Sequence, residues 1–372
     1  MKQKILVVFG TRPEAIKMIP VIKALQKRNS KIYICVTGQH REMLDQVLQF
    51  FDIQPDFDLN VMSPNQDLST LTSKIILQLK DIISKIKPHW VVVQGDTTTT
   101  FCAALSAFYH KIPVAHIEAG LRTGDPYKPW PEEVNRKLVT HIAKIHFAPT
   151  NEAKSHLIKE GVNQESIHVT GNTSIDALLD SVKVVEKMPK KFATKYQLNT
   201  QKKIILVTGH RRENFGKGLE EICEALKSIA LKYDGVHIIY PVHPNPNVQK
   251  TVNDILANQS RIQLIEPLSY PQFVYLMTKS YFIITDSGGI QEEAPSLNKP
   301  VLVTRESTER QEVVNCGAAY LVGTSKEKIM EKVGNLLEDK KMYDAMSTVS
   351  NPYGDGNAAE KIANILLQIR VY

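Results

Sequence analysis

Short β-branched runs alternate with longer amphipathic stretches along the whole chain, a pattern that confines it to parallel strands joined by crossover helices. The strand-like runs are Ile5–Phe9, Ile32–Thr37, Trp90–Gln94, Val114–Glu118, Ile145–Ala148 and Ile167–Thr170, then Ile204–Thr208, His237–Val242, Gln263–Ile265, Phe282–Thr285 and Val301–Thr304. They fall into two successive α/β blocks, and 372 residues with 42% hydrophobic and 23% charged content can bury a core for each. A hinge near Gly171 gives a first domain over 1–170 and a second over 171–356. A dense turn signal, Asn351–Asn357, precedes a last helix over Ala358–Ile369, and the 357–372 segment is expected to pack back on the first domain. Lys183–Lys203, with seven lysines and a proline, reads as a loop or an exposed helix end. No repeat of fixed short period and no low-complexity tract occurs.

Composition narrows the function. The net charge, 46 − 39 = +7, favours anionic ligands, but the lysines are scattered rather than ranged along one helix face, which points to phosphate groups and not to nucleic acid. Cys35, Cys102, Cys223 and Cys316 lie far apart without metal-ligand spacing, so neither a disulfide framework nor a metal site is expected and a reducing cytoplasm suits them. The Ile5–Phe9 run is too short for a signal-peptide core, and no segment approaches the ~18 apolar residues of a membrane span.

The chemistry sits at strand ends. After the first strand, Gly10-Thr11-Arg12-Pro13-Glu14 permits a tight turn at Gly10, with capping-box spacing between Thr11 and Glu14 and a proline suited to a first helical turn. A helix N-terminus there favours an anion, to which Arg12 and Lys17 can add charge; the alternative is a cap with two solvated cations. Gly95-Asp96-Thr97 places an acid at a strand's carboxyl end, either for acid/base work or as an N-cap. His116–Gly124, followed by Pro129–Arg136, sets carboxylates and arginines on a glycine-rich, proline-punctuated loop; the alternative is a structural salt-bridge cluster of Glu118, Arg122, Glu132 and Arg136. Thr208–Gly218 offers His210 and Arg211 beside glycines as a diphosphate cradle, since arginine presents a planar fork of donors and histidine can give up a proton. Thr285–Glu293 brings the backbone of Ser287, Gly288 and Gly289 to another helix start, with Glu293 placed for ribose hydroxyls or simply for the helix dipole. His243 lies in the Val242–Pro246 turn.

Taken in order, Gly10–Glu14, Gly38-Gln39-His40, Gln94–Thr97, His116–Arg122, Pro131–Arg136, Gly209–Asn214 and Asp286–Pro295 resemble the non-hydrolysing UDP-N-acetylglucosamine 2-epimerases nearly end to end. The resemblance implies two Rossmann-like domains with parallel sheets facing a central cleft, the glycosyltransferase-B arrangement, usually as a homodimer, with no cofactor and no metal. It implies interconversion of UDP-GlcNAc and UDP-ManNAc by elimination of UDP to 2-acetamidoglucal and re-addition, supplying ManNAc for bacterial surface polysaccharide. Asp96, Glu118 and Glu132 are then the acid/base set, with His210 assisting the leaving group. Arg12, Lys17, Arg136, Arg211 and His243 contact the substrate, Ser287, Gly288, Gly289 and Arg310 hold the phosphates, Glu293 the ribose, and Leu268 and Phe273 flank the uracil. A second, activating UDP-GlcNAc in some members would use Gln39, Glu42 and Gln66; this chain departs from the regulated pattern with Asn65-Gln66 and Glu42. A glycosyltransferase, a hydrolysing epimerase and a silent UDP-sugar sensor are the competing readings, and fold alone does not separate them.

Overall fold

All eleven expected runs are strands, each within one residue of its expected ends; the central ones, such as Trp90–Gln94 and Phe282–Thr285, are buried throughout, as parallel sheets covered on both faces require, and outer ones such as Ile167–Val169 and Ile262–Ile265 are buried only in part. The computed structural model describes residues 2–28, 30–38, 41–63, 66–187, 198 and 201–369. In chain order the strands are β1 (Lys4–Phe9), β2 (Lys31–Val36), β3 (Phe57–Asp58), β4 (Trp90–Gln94), β5 (Val114–Ile117), β6 (Ile145–Ala148), β7 (Ile167–Val169), β8 (Lys203–Thr208), β9 (Val236–Pro241), β10 (Ile262–Ile265), β11 (Phe282–Thr285), β12 (Val301–Val303) and β13 (Ala319–Leu321). The two that pattern reading misses, β3 and β13, are sheet edges of two and three residues, too short to show a period.

The first unit comprises Met1–Ala177 with Tyr353–Tyr372, and the second Leu178–Pro352. The first sheet runs β3-β2-β1-β4-β5-β6-β7 and the second β10-β9-β8-β11-β12-β13, every pair parallel. Each order reverses once, between β1 and β4 and between β8 and β11, and in such sheets ligands bind beyond the strand carboxyl ends at that switch point. The loops carrying Gly10–Glu14, Gly95-Asp96, Gly209–Arg211 and Asp286–Gly289 are those four positions.

Helices cover the sheets through spaced apolar faces. The helix Leu68–Ile86 starts at Asp67, whose carboxylate accepts the Thr70 N–H at 2.7 Å, and buries Leu71, Ile75, Leu79 and Ile83 on the strand side chains Leu6, Val8, Val91 and Val93. In the second unit the helix Lys217–Lys232 buries Leu219, Ile222, Leu226 and Ile229 against β8 and β9 residues. The last helix, Ala358–Gln368, belongs to the first unit, where the buried Asp176 carboxylate accepts the N–H groups of Ala358 at 3.3 Å and Ala359 at 2.9 Å. The Lys183–Lys203 stretch begins as helix: Thr173–Lys187 is continuous, and β8 starts at Lys203.

Candidate active site

The helix Arg12–Lys27 starts as its sequence requires, with Thr11 as N-cap and Glu14 completing the box. Glu14 does more than cap. Its Oε2 accepts from the N–H groups of Gly10 (3.0 Å) and Thr11 (2.8 Å) and from the Thr11 hydroxyl (2.8 Å), while Oε1 accepts from the hydroxyls of Thr97 (2.7 Å) and Thr100 (3.1 Å). One carboxyl group therefore joins the loops after β1 and β4. Burial pushes its pKa up, against the pull of these donors. Gly10 is required by close approach rather than by a left-handed turn: a Cβ there would lie 2.1 Å from Thr37 Oγ1 and 2.5 Å from Thr99 Oγ1.

Glu118 falls just outside its strand, which ends at Ile117, one residue earlier than expected. Its φ is +62°, in the left-handed region that costs a side-chain-bearing residue about 1–3 kcal/mol and is kept only where the surroundings enforce it. That backbone turn carries the side chain off the sheet and into a set of donors. Lys17 ion-pairs with Oε1, the Gln94 amide donates to Oε2, and Asn172 Nδ2 donates to Oε1 at 3.0 Å. Lys17 is thus not a solvated cation, and Arg12 is half-buried at the first position of its helix.

Asp96 is not the N-cap of the following helix. Thr97 takes that place in Thr98–Tyr109, leaving the Asp96 carboxylate to pair with Arg136. Arg136 also donates to the fully buried Glu133 at 3.1 Å, and Glu133 in turn accepts the N–H groups of Thr123 (3.1 Å) and Gly124 (3.2 Å), pinning the loop. Asn135 Nδ2 donates to the Asp96 carbonyl at 2.9 Å. Glu132 opens the helix Glu132–Ile142, and its buried Oε2 has no hydrogen-bond partner among the described residues. Burial pushes its carboxyl up and the Asp96 charge adds to that, against its own N–H and Arg136. The salt-bridge cluster considered as an alternative does not form. Glu118 pairs with Lys17, Arg136 with Asp96 and Glu133, and Arg122 makes a bidentate pair with Glu160 through Nε (2.7 Å) and Nη2 (2.6 Å). Lys17, Asp96 and Glu160 reach these charges from other elements, and Glu133 reaches Arg136 from one turn away on the same helix.

His116 is completely buried beneath this site, with Nε2 at 2.7 Å from the Gly95 carbonyl, which makes Nε2 the protonated nitrogen. Burial depresses its pKa to about 3. A folded-state value below the ordinary 6.5 means that the contribution of neutral His116 is complete above pH 6.5 and is lost as pH falls toward about 3. Glu14 and Glu132, both raised, act in the opposite sense, so the effect is read as a difference. Urea unfolding of wild type and His116→Gln between pH 6 and pH 4 should show a wild-type slope steeper by about 1.4 kcal/mol per pH unit; parallel slopes would refute this.

In the second unit Asp286, 1% exposed, organises the loop after β8. Its Oδ2 accepts the N–H groups of His210 and Arg211, each at 2.8 Å, and Oδ1 lies 3.0 Å from His210 Nδ1. Burial works to raise the Asp286 pKa, but His210 and the two N–H donors outweigh it and hold it down. His210 Nδ1 thus faces Asp286 while its half-exposed ring leaves Nε2 for another partner. The His243 ring stacks on it with centroids 5.9 Å apart, and burial followed by the neighbouring His210 lowers the His243 pKa. Arg211 lies 3.7 Å from Glu309. Burial opposes ionisation of Glu309, but Arg310, its own N–H and Arg305 bring it to about 2.

Ser287 caps the short helix Gly288–Glu293. Arg310 donates to the buried Glu292 at 2.9 Å, and its guanidinium lies against Gly288, where a Cβ would come within 2.9 Å of Cζ. Gly288, itself buried, is therefore glycine to admit an arginine, and Gly289 has open space at its Cβ position. Glu293 is half-buried at the end of that helix, and half-buried Leu268 and Phe273 flank the start of Tyr270–Lys279. Gln39 and the Glu42 side chain lie outside the described residues; the Gln66 amide is buried without a partner among them.

Sequence reasoning overlooked Gln94, Glu133, Asn172, Asp286 and Glu309. Gln94 and Asp286 sit at strand ends inside motifs already singled out, so position was the available signal; Asn172 had none beyond a Gly-Asn pair before a helix. No group of His, Cys, Asp and Glu suited to a metal ion, and no helix long and apolar enough to cross a membrane, occurs among the described residues.

Comparison with known proteins gives these loops their context. The family described as UDP-N-acetylglucosamine 2-epimerase matches residues 23–367. The UDP-N-acetylglucosamine 2-epimerase of Campylobacter jejuni is 55% identical over 99% of this chain and 98% of its own. The crystal structure of the Neisseria meningitidis UDP-GlcNAc 2-epimerase bound to UDP-GlcNAc superposes with a TM-score of 0.91 at 50% identity, covering 99% of this chain and 100% of that one. The Methanocaldococcus jannaschii enzyme in complex with UDP-GlcNAc and UDP does so with a TM-score of 0.82 at 37% identity, again over 99% and 100%. A match this complete, spanning both parallel sheets and all four switch-point loops, means that the chain belongs to the UDP-N-acetylglucosamine 2-epimerase family.

Proposed function

We propose that this protein interconverts UDP-GlcNAc and UDP-ManNAc without hydrolysing them. The observation that carries this reading is the set of three carboxyl groups around the β1/β4 switch point: Glu118 paired with Lys17, Asp96 with Arg136, and Glu132 raised by burial. The C2 proton of UDP-GlcNAc is not next to a carbonyl, so its removal alone would leave an unstabilised carbanion. If the C2–H pair forms the C1=C2 bond while the C1–O bond breaks, the electrons leave on the diphosphate and 2-acetamidoglucal remains. Re-addition of UDP at C1 with a proton delivered to the opposite face of C2 completes the epimerisation. Two proton carriers on opposite faces are needed, and carboxyl groups in different environments supply them. Glu132, pushed toward its neutral form, suits proton delivery; Asp96 and Glu118 suit proton acceptance.

The second unit, taken by itself, carries loops suited to a diphosphate. His210, oriented by Asp286, presents Nε2, and Arg211, Arg310 and the N–H groups of Gly288 and Gly289 favour a diphosphate, whereas the Ser287 N–H donates to Thr285 Oγ1 at 3.0 Å. Leu268 and Phe273 flank the uracil, Glu293 takes the ribose, and Arg12 and His243 complete the substrate contacts. The protein works as a homodimer without cofactor, and its product supplies ManNAc units for surface polysaccharide. Proton NMR of the purified protein with UDP-GlcNAc in D2O tests the reaction: UDP-ManNAc carrying deuterium at C2 is expected. Free ManNAc with UDP would assign hydrolysis instead, and an unchanged spectrum from folded protein would defeat the reading.

A further inference from the structure

Glu118 occupies a backbone conformation that its own side chain disfavours, at φ +62°, so its carboxylate direction is set by neighbours. Of the donors on Oε1, Lys17 sits at the end of a flexible four-carbon stem and adapts to wherever the carboxylate lies. Asn172 does not. Its side chain has two torsions, is 3% exposed, and is used at both ends: Nδ2 donates to Glu118 Oε1 at 3.0 Å and Oδ1 accepts the Ser174 N–H at 3.0 Å. Its backbone N–H donates to the Tyr353 carbonyl at 2.7 Å. Gly171 before it stands at φ +93° with the Tyr353 carbonyl 3.1 Å from where a Cβ would be. Tyr353 is the residue at which the chain re-enters the first unit, and Asp176, four residues beyond Asn172, caps the last helix. The carboxylate assigned to proton transfer is thus hydrogen-bonded to the segment through which the chain leaves and returns.

We infer that Asn172 is a positioning residue, which fixes the Glu118 carboxylate for proton transfer and registers it against the Tyr353 segment. This rests on the epimerase reading above. Facing Glu118 are Lys17 from the helix Arg12–Lys27, His116 from β5, and the neutral amides of Gln94 and Asn172. Removing the Asn172 donor leaves Oε1 on the movable lysine alone among these; replacing it by a carboxylate adds a like charge at hydrogen-bond distance, which favours protonation of the pair.

Two variants separate positioning from helix capping. Asn172→Asp keeps an Oδ1 acceptor for the Ser174 N–H and keeps all backbone bonds, changing only the group that faces Glu118. Asn172→Ser keeps a capping oxygen on a side chain too short to reach Glu118. Both should fold with near-wild-type melting temperatures and unchanged UDP affinity. Expected for both is a fall in kcat of about 10- to 100-fold with KM within about threefold, and for Asn172→Asp an upward move of the acid limb of kcat by about one pH unit. Wild-type kcat and acid limb in either folded variant would overturn the inference, as would failure of both variants to fold, which would assign Asn172 to structure. Wild type run alongside separates the two levels: absence of epimerisation by wild type defeats the underlying reading, whereas an active wild type with unaffected Asn172 variants defeats only this inference.

Discussion

Glu118→Gln is expected to lower turnover of UDP-GlcNAc by about 10²- to 10⁴-fold, the usual worth of a positioned acid or base. The substitution keeps size and shape but removes the charge that Lys17 pairs with, and it places an amide nitrogen among donors from Gln94, Asn172 and Lys17 that cannot accept from it. UDP affinity, measured by calorimetry, should stay within about threefold, because the diphosphate contacts are assigned to the loops after β8 and β11. Turnover within tenfold of wild type would remove Glu118 from the proton-transfer set. Loss of UDP affinity in parallel would show that the substitution acts on folding instead.

Arg136→Leu is expected to be the most damaging single change to stability. Arg136 is the shared cation of Asp96 and of Glu133, whose side chain is wholly buried. Leucine fills part of the space and leaves two carboxylates facing each other without it, a situation that costs about 3–5 kcal/mol when one partner of a buried pair is deleted. The damage should spread to the loop, because Glu133 also holds the N–H groups of Thr123 and Gly124. Urea unfolding should show that loss, and the folded fraction should turn over at least about a hundredfold more slowly as Asp96 loses its orientation. A variant less than about 1 kcal/mol below wild type would mean that Lys137, 3.8 Å from Glu133, replaces the arginine.

The candidate site was partly legible because its residues sit where chain chemistry is local. Thr11 and Glu14 are three residues apart, so a capping box is visible in one dimension, and His210 and Arg211 come directly after Gly209, the residue that follows β8. The partners of those residues were not legible, since Asp286 reaches His210 from 76 residues away and Asn172 reaches Glu118 from 54. The same limit explains the salt-bridge cluster that does not exist: Glu118, Arg122, Glu132 and Arg136 are neighbours along the chain, but Glu118 pairs with Lys17, Arg122 with Glu160 and Arg136 with Asp96 and Glu133, while the buried Glu132 Oε2 has no hydrogen-bond partner among the described residues. The short edge strands β3 and β13 were invisible for a different reason. They are strands only because β2 and β12 present free hydrogen-bonding edges to them.

Periodicity and turn chemistry, which act over a few residues, were enough to determine two parallel α/β sheets, the strand ends that bear loops, and a set of carboxylates, arginines and a histidine on those loops. What only the tertiary structure decided is the state of each of those groups. The left-handed turn at Glu118, the burial that raises Glu132, the pairing that assigns Arg136 to Asp96, and the Asp286 clamp on His210 all depend on which distant segment lies alongside. Protonation and orientation follow from desolvation and from donors within about 3 Å, and those distances exist only once the chain has folded.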